Sequence, residues 1–246
     1  MSDGSGKTAL VTGASSGIGA ASVRSLSAAG FEVVAAARRV ERCEELAREV
    51  GGRALALDVA DPDSVAALAD ELPELAVVVH SAGGALGFDE VAAARDSDWV
   101  TMYETNVLGV MRVTRALLPA LERGGNGFIV IVGSGAGVEV YPGGGGYTAA
   151  KHAVHAVART LRLELLGKPI RISEIAPGLV DTEFAEVRFR GDREQAAKVY
   201  EGMTPLTAED VADTIAYVVT RPPHVDIDYV AMKPTAQAGP RDVHRA

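Results

Sequence analysis

Short runs that are apolar on both faces alternate along this chain with longer stretches in which apolar residues recur every three or four positions. Thr8-Ala9-Leu10-Val11 is followed by a periodic segment from Ile18 to Ala29, and Val33-Val34-Ala35-Ala36-Ala37 by a charged one from Val40 to Val50. A third run, Arg53-Ala54-Leu55-Ala56-Leu57, precedes a helical pattern from Pro62 to Leu72. There Asp61 is suited to cap the helix, and Pro62 stands at the first helical position, where a missing N–H costs nothing. Ala76 to Val79, Phe128 to Val132, Ile170 to Ile175 and Tyr229 to Met232 supply further strands. Runs without a polar face belong to parallel strands covered by helices on both sides. The alternation predicts a doubly wound α/β fold with a mostly seven-stranded parallel sheet. No Pro/Ser-rich linker interrupts it, so residues 1–246 are expected to form a single domain. The rhythm breaks after the sixth strand, where Val180 to Pro205 is long, charged and weakly periodic. Such a segment predicts a lid or binding loop over about residues 180–205.

Charge narrows the function. With 24 basic and 33 acidic residues the net charge is -9, and a surface of that sign repels phosphate backbones and anionic lipid. Neither nucleic acid nor a membrane is expected as partner. Cys43 is the only cysteine, which excludes an intrachain disulfide and a multi-thiolate metal site and suits a reducing compartment. No metal is expected. Met1 to Gly6 is short, polar and glycine-rich, and no run approaches the ~20 apolar residues that span a bilayer, so a cytoplasmic location is expected.

Two motifs carry chemistry. The first βα turn, Thr12-Gly13-Ala14-Ser15-Ser16-Gly17-Ile18-Gly19, has the glycines that let backbone approach a pyrophosphate at a helix N-terminus, although its Gly-x-x-x-Gly-x-Gly spacing departs from the usual dinucleotide fingerprint. A turn glycine-rich for packing alone is the competing reading. In Tyr147-Thr148-Ala149-Ala150-Lys151, a separation of four on a helix puts phenol and ammonium on one face. A cation there favours phenolate, and a tyrosine tuned down from ~10 can exchange a proton with a carbonyl or alcohol oxygen near neutral pH. A buried tyrosine beside a snorkelling lysine would give the same spacing.

Taken in order with three further motifs, these residues resemble the short-chain dehydrogenase/reductase family over nearly the whole chain. Ser134 lies thirteen residues before Tyr147, Asn106 sits in Thr105-Asn106-Val107-Leu108-Gly109, and Pro177-Gly178-Leu179-Val180-Asp181-Thr182 follows the sixth strand. The resemblance implies a Rossmann fold in which Ser134 bonds the substrate oxygen and Tyr147 exchanges the proton. Lys151 would tune the phenol and hold the nicotinamide ribose, and Asn106 would hold a water that continues the proton path. Gly13, Ser15, Ser16, Gly17, Ile18 and Gly19 would line the cofactor, as would Asp58 and Val59 at the adenine and Pro177, Gly178, Val180 and Thr182 at the nicotinamide. Asp58 could equally serve as a turn former.

Where that family commonly has Asn-Asn-Ala-Gly, this chain has His80-Ser81-Ala82-Gly83. Ala82 and Gly83 keep the close backbone approach, Ser81 is expected to replace part of the lost bracing, and His80 reads as a packed strand-end residue. At the end of the second strand, NAD enzymes place an acidic residue to bind the ribose 2′-hydroxyl. Here Ala37 is followed by Arg38 and Arg39, which can fork onto a 2′-phosphate, so NADP (NADPH) is the expected cofactor. His152 and His155 read as surface or interface histidines. The carboxyl-terminal third, including Phe189-Arg190-Gly191-Asp192 and Pro223-His224-Val225-Asp226-Ile227, resembles the branch with bacterial 3-hydroxy acid and serine-type dehydrogenases. That branch implies a small carbonyl or secondary-alcohol substrate and a homo-oligomer, tetramer or dimer. Arg188 or Arg190 could hold a substrate carboxylate, or both could pair with Glu183, Glu186 or Asp192. An aldehyde or ketone reductase, and a non-catalytic dinucleotide-binding regulator, are the alternatives.

Overall fold

A computed structural model describes residues 4–246; Met1–Asp3, part of the polar amino-terminal segment, lie outside the described residues. Strands β1 (Thr8–Thr12), β2 (Glu32–Ala37) and β3 (Arg53–Ala56) alternate with helices α1 (Gly17–Ala28) and α2 (Val40–Val50). Short helices α3 (Pro62–Ala66) and α4 (Leu68–Glu71) lead to β4 (Val77–His80). Helix α5 (Asp96–Tyr103), a π-turn over Glu104–Leu108 and α6 (Gly109–Arg123) then run almost without interruption to β5 (Gly127–Val132). Helix α7 (Gly145–Glu164), β6 (Ile170–Pro177), α8 (Phe184–Arg188), α9 (Arg193–Lys198), α10 (Ala208–Val219) and β7 (Tyr229–Met232) complete the chain. The seven strands form one parallel sheet in the order β3-β2-β1-β4-β5-β6-β7.

Each strand divides its side chains between two cores, which is why the strands lack a polar face. Ala9, Val11, Val33 and Ala35 pack with Val23 and Leu26 of α1, Leu46 of α2 and Ile215 of α10. Leu10, Val34, Ala36, Val78 and Ile129 pack on the opposite side with Leu117 of α6 and Val154 of α7. Every residue of β5 is buried. Truncating Ile129, which has no exposed surface, would cost about 2–5 kcal/mol. Among the described residues, no helix is long and apolar enough to cross a membrane.

Two expectations are corrected. The helix predicted from Pro62 to Leu72 breaks at Ala67, where the bonds across the joint, Ala67 N to Asp63 O and Glu71 N to Ala67 O, both stretch to 3.4 Å. Asp61 nevertheless caps as expected, accepting from Asp63 N at 3.0 Å. The segment from Val180 to Pro205 is not irregular, since it contains α8 and α9. Asp192 caps α9 through Gln195 N, and the turn between the two helices places Arg190 at φ 56 and Gly191 at φ 90.

Because the strand order reverses between β1 and β4, their carboxyl ends diverge and open a crevice. Most of the residues named from the sequence line it, with Gly19 and Asn106 just behind its walls.

Candidate active site

The crevice is a cleft of about 1030 Å³ that runs from the Gly13–Ile18 turn, past Ser81–Gly84, to Ser134, Tyr147, Lys151 and the segment carrying α8 and α9. Its glycines are required by contact. A Cβ on Gly13, at φ +68, would stand 2.7 Å from the Ala82 backbone, and one on Gly19 2.3 Å from Gly13 O. Ser16 precedes α1 without capping it through its side chain, so the first-turn N–H groups remain available to an anion. The bracing expected of Ser81 is made by Thr12 instead. Its hydroxyl accepts from Ser81 N and Ala82 N, both at 3.2 Å, and donates to Val79 O at 3.3 Å. Ser81 takes part only through its backbone, because the β1 hydroxyl already lies between the two strands.

Ser134 opens the turn after β5, its hydroxyl accepting from Ala136 N at 3.1 Å and hydrogen-bonding the Tyr147 phenol. Lys151 Nζ lies 5.9 Å from the centre of the Tyr147 ring and donates to Val132 O at 2.9 Å. Burial pulls the ammonium down to about 8, against an upward push from Glu174. The Tyr147 phenol is not tuned down as its spacing to Lys151 predicts. Burial pushes it above the ordinary tyrosine value, and the Ser134 bond and the Arg188 charge offset only part of that rise. Desolvation of a phenolate outweighs the neighbouring cations, so the resting tyrosine keeps its proton.

Asn106 stands in the π-turn with both ends of its amide engaged. Nδ2 donates to Gly84 O at 2.9 Å and Met102 O at 2.8 Å, and Oδ1 accepts from Gly84 N at 3.2 Å. The side chain thus braces the loop after β4 against the helix. Gly83 lies against it, with room for no Cβ, since one would stand 2.6 Å from Asn106 Oδ1.

At the other end, Arg39 reaches Ser15 Oγ at 3.2 Å, Ser16 Oγ at 2.9 Å and Glu183 Oε2 at 2.9 Å. Arg42 holds the second oxygen of Glu183 at 2.7 Å, and Arg38 is exposed on the cleft wall. The two arginine bonds hold the Glu183 carboxyl below its usual value despite desolvation. Asp58 lines the cleft and accepts from Ala60 N at 3.0 Å, as a turn former does; Val59 lines the cleft beside it. Pro177, Gly178, Val180 and Thr182 line it as well, with Thr182 Oγ1 accepting from Phe184 N at 3.3 Å.

Arg188 and Arg190 part company. Arg190 pairs with Asp98 at 2.5 Å, whereas Glu186 pairs with Arg193 and Glu183 with Arg39 and Arg42. Arg188 is 8% exposed and has no carboxylate partner among the described residues. It donates to Gly87 O at 3.2 Å and Tyr141 Oη at 2.9 Å. Its guanidinium faces the rings of Phe88, Tyr141 and Tyr147 at 4.6, 5.4 and 5.8 Å. Phe184 adds an edge-on contact to Tyr147 at 5.3 Å.

Phe88 and Tyr141 escaped the sequence reading, although the run Gly143-Gly144-Gly145-Gly146 was the available signal. A Cβ on Gly143 would come within 2.9 Å of the Phe88 ring, and one on Gly144 within 2.3 Å of Tyr141. The glycines let these two rings lie flat over the turn. His80 is a packed strand-end residue, 3.0 Å from Thr114 Oγ1 and pulled down to about 4 by burial. His152 is exposed as expected, but His155 is only partly exposed and bonds buried Glu174 across 2.6 Å.

The family model for short chain dehydrogenase matches residues 7–193. An uncharacterized oxidoreductase of Mycobacterium tuberculosis is 56% identical over 94% of this chain and 92% of its own length. An NADP-dependent 3-hydroxy acid dehydrogenase of Schizosaccharomyces pombe is 41% identical, covering 100% of this chain and 99% of the relative. Among solved structures, the closed form of a serine dehydrogenase complexed with NADP+ superposes with a TM-score of 0.92 at 38% identity, over 97% of this chain and 100% of the other.

Proposed function

Because the chain belongs to the short-chain dehydrogenase/reductase family, we propose that it is an NADP(H)-dependent oxidoreductase acting on a small carbonyl or secondary alcohol that bears an anionic group, with 3-hydroxy and 3-oxo acids the fitting class. The observation that carries the substrate reading is Arg188: a buried cation beside Tyr147, without a carboxylate partner among the described residues, framed by aromatic faces. Such a guanidinium can take a substrate carboxylate without first giving up an acidic partner.

The cleft fits a dinucleotide on its own geometry. Gly13 and Gly19 allow backbone approach, the amino end of α1 offers N–H groups, and no acidic residue follows β2 where Ala37, Arg38 and Arg39 stand. Arg38, Arg39 and Ser15 would hold the 2′-phosphate, Gly17 and Ile18 the pyrophosphate, and Lys151, Val180 and Thr182 the nicotinamide end. When bound, the nicotinamide gives or accepts the hydride. Ser134 fixes the substrate oxygen, and the Tyr147 hydroxyl, kept protonated by burial, gives its proton to that oxygen as a carbonyl is reduced. Alcohol oxidation requires the reverse transfer, with Lys151 favouring the phenolate. Asn106 holds the loop after β4, and with it Gly83 and Gly84, against the catalytic face.

The same reading includes a cytoplasmic location and a homo-oligomer, tetramer or dimer, supported by the family resemblance and by a lone, buried cysteine. Native mass in solution tests the oligomer. A panel of 3-hydroxy acids, 3-oxo acids and neutral aldehydes, followed at the nicotinamide absorbance with NADPH and NADH, tests the function. Turnover of the acids with NADPH is the expected result, and turnover of neutral carbonyls alone would return the protein to the aldehyde or ketone reductases.

A further inference from the structure

Behind the catalytic face, β6 carries a carboxylate in a buried stretch. Glu174 is 3% exposed and lies in register with Ile131 of β5. Its Oε2 is 2.6 Å from His155 Nδ1, while Oε1 is buried with no hydrogen-bond partner among the described residues. The bare oxygen lies directly under the chain that presents Ser134. A Cβ on Gly133 would stand 2.2 Å from it, and one on Gly137 3.7 Å. Tyr147, Lys151 and His155 recur at intervals of four on α7, so they share one helix face, and Glu174 meets that face from β6.

A half-satisfied buried carboxylate is costly unless a charge compensates it. Lys151 Nζ is held at Val132 O, 2.9 Å away and one residue before the Gly133 that the bare oxygen underlies, so Lys151 joins a protonated His155 as a cation in the field of Glu174, and the influence is mutual. We propose that Glu174, oriented by His155, is the counter-ion of Lys151, a positioning pair that extends toward alkaline pH the range over which the catalytic ammonium stays charged. The inference rests on reading Tyr147 and Lys151 as the proton-handling pair.

The surroundings agree in sign. Burial pulls Lys151 down to about 8, and Glu174 is what pushes it back up. Burial likewise pushes the Glu174 carboxyl up, while the His155 bond, the His155 charge and Lys151 hold it down. Of the other groups facing the pair, Asp228 before β7 raises Glu174, but Arg162 neutralises it at 2.7 Å. Tyr229 of β7 lies edge-on to His155 with ring centres 5.6 Å apart, and Glu139, which acts on Tyr229, is bonded by Lys233 at 2.7 Å. On the catalytic side Lys151 faces Tyr147, which burial keeps protonated to higher pH. Lys151 therefore titrates first as pH rises, and the alkaline limb of activity reports its charge. Without Glu174 the ammonium loses its proton at lower pH, and that limb moves toward acid.

The test uses Glu174→Gln, Glu174→Asp and His155→Gln, with kcat and NADPH affinity by fluorescence each measured from about pH 6 to 10. In Glu174→Gln the alkaline limb should move down by about one pH unit, so that kcat falls roughly fivefold at pH 8, approaches a tenfold deficit above about pH 9, and stays within about twofold of native at pH 6. NADPH affinity should weaken at correspondingly lower pH. Glu174→Asp should restore part of the shift, and His155→Gln should reproduce a smaller one. A uniform fall in kcat at every pH, with the limb in place, would reduce the pair to a packing role and overturn the proposal. If Glu174→Gln does not fold, an unmoved limb in both other variants overturns it equally. Absence of turnover in the native protein would strike the oxidoreductase reading instead, while the pH profile of NADPH affinity would still report the charge on Lys151.

Discussion

The two ends of the cleft treat their arginines in opposite ways. Arg39 and Arg42 leave 47% and 49% of their side chains exposed and share the carboxylate of Glu183, whereas Arg188 is buried among aromatic rings and the Gly87 carbonyl with no carboxylate partner among the described residues. An exposed ion pair contributes about 0–1 kcal/mol, so Arg39 can exchange Glu183 for an incoming phosphate at little cost. A buried guanidinium is a different instrument. Its desolvation is already met by fixed donor–acceptor and aromatic contacts, and an arriving anion adds its attraction in a medium that screens it poorly. On the proposed reading the cofactor end is built for exchange, and the substrate end for selection.

The largest test of this division lies between the ends. Tyr147→Phe should lower kcat by about 10²–10⁴-fold while leaving NADPH binding and the KM for acids close to native, because only a hydroxyl is lost. Lys151→Met should instead damage turnover and cofactor affinity together; steady-state kinetics and fluorescence titration separate the two variants. Near-native turnover in Tyr147→Phe would remove the proton donor from the account.

At the cofactor end, NADPH should bind more tightly than NADH by about 1.5–3 kcal/mol, the range of charged hydrogen bonds, and Arg38→Ala or Arg39→Ala should narrow that gap. Equal binding of the two cofactors would mean that the arginines serve only Glu183 and solvent. A smaller effect sharpens the point. Glu183→Gln should tighten NADPH by about twofold to fivefold, since it removes a competitor for Arg39. Weaker binding would show that the carboxylate clamps the cleft over its ligand. Smallest of all is Arg190→Ala, which removes a half-exposed pair with Asp98 and should cost less than about 1 kcal/mol in thermal unfolding, with acids and neutral carbonyls affected alike.

Much of this was legible along the chain because parallel strands buried on both faces leave an unmistakable apolar run, and because ligands of doubly wound sheets collect at strand ends. Gly13 and Ser134 lie just beyond the ends of β1 and β5, while Tyr147 and Lys151 are legible from their spacing on α7. What escaped depends on partners distant in sequence. Arg188 and Arg190 look alike locally, and only the packing of the α8–α9 segment gives Asp98 to Arg190 and Gly87 and Tyr141 to Arg188. The upward shift of Tyr147 was hidden for the same reason, since helical spacing records the proximity of Lys151 but not the burial that overrides it. Glu174 did leave a trace, as a carboxylate inside a buried strand, and His155 one helical turn after Lys151 was its counterpart.

The most direct measurement is the ratio of kcat/KM for a 3-oxo acid to that for its methyl ester, taken in the native enzyme and in Arg188→Ala. The native enzyme should prefer the acid by roughly tenfold to a hundredfold, and the variant should lose that preference while its activity on the ester is unchanged. Equal use of acid and ester by the native enzyme, or an equal fall on both in the variant, would contradict the assignment of Arg188 as the anion receptor.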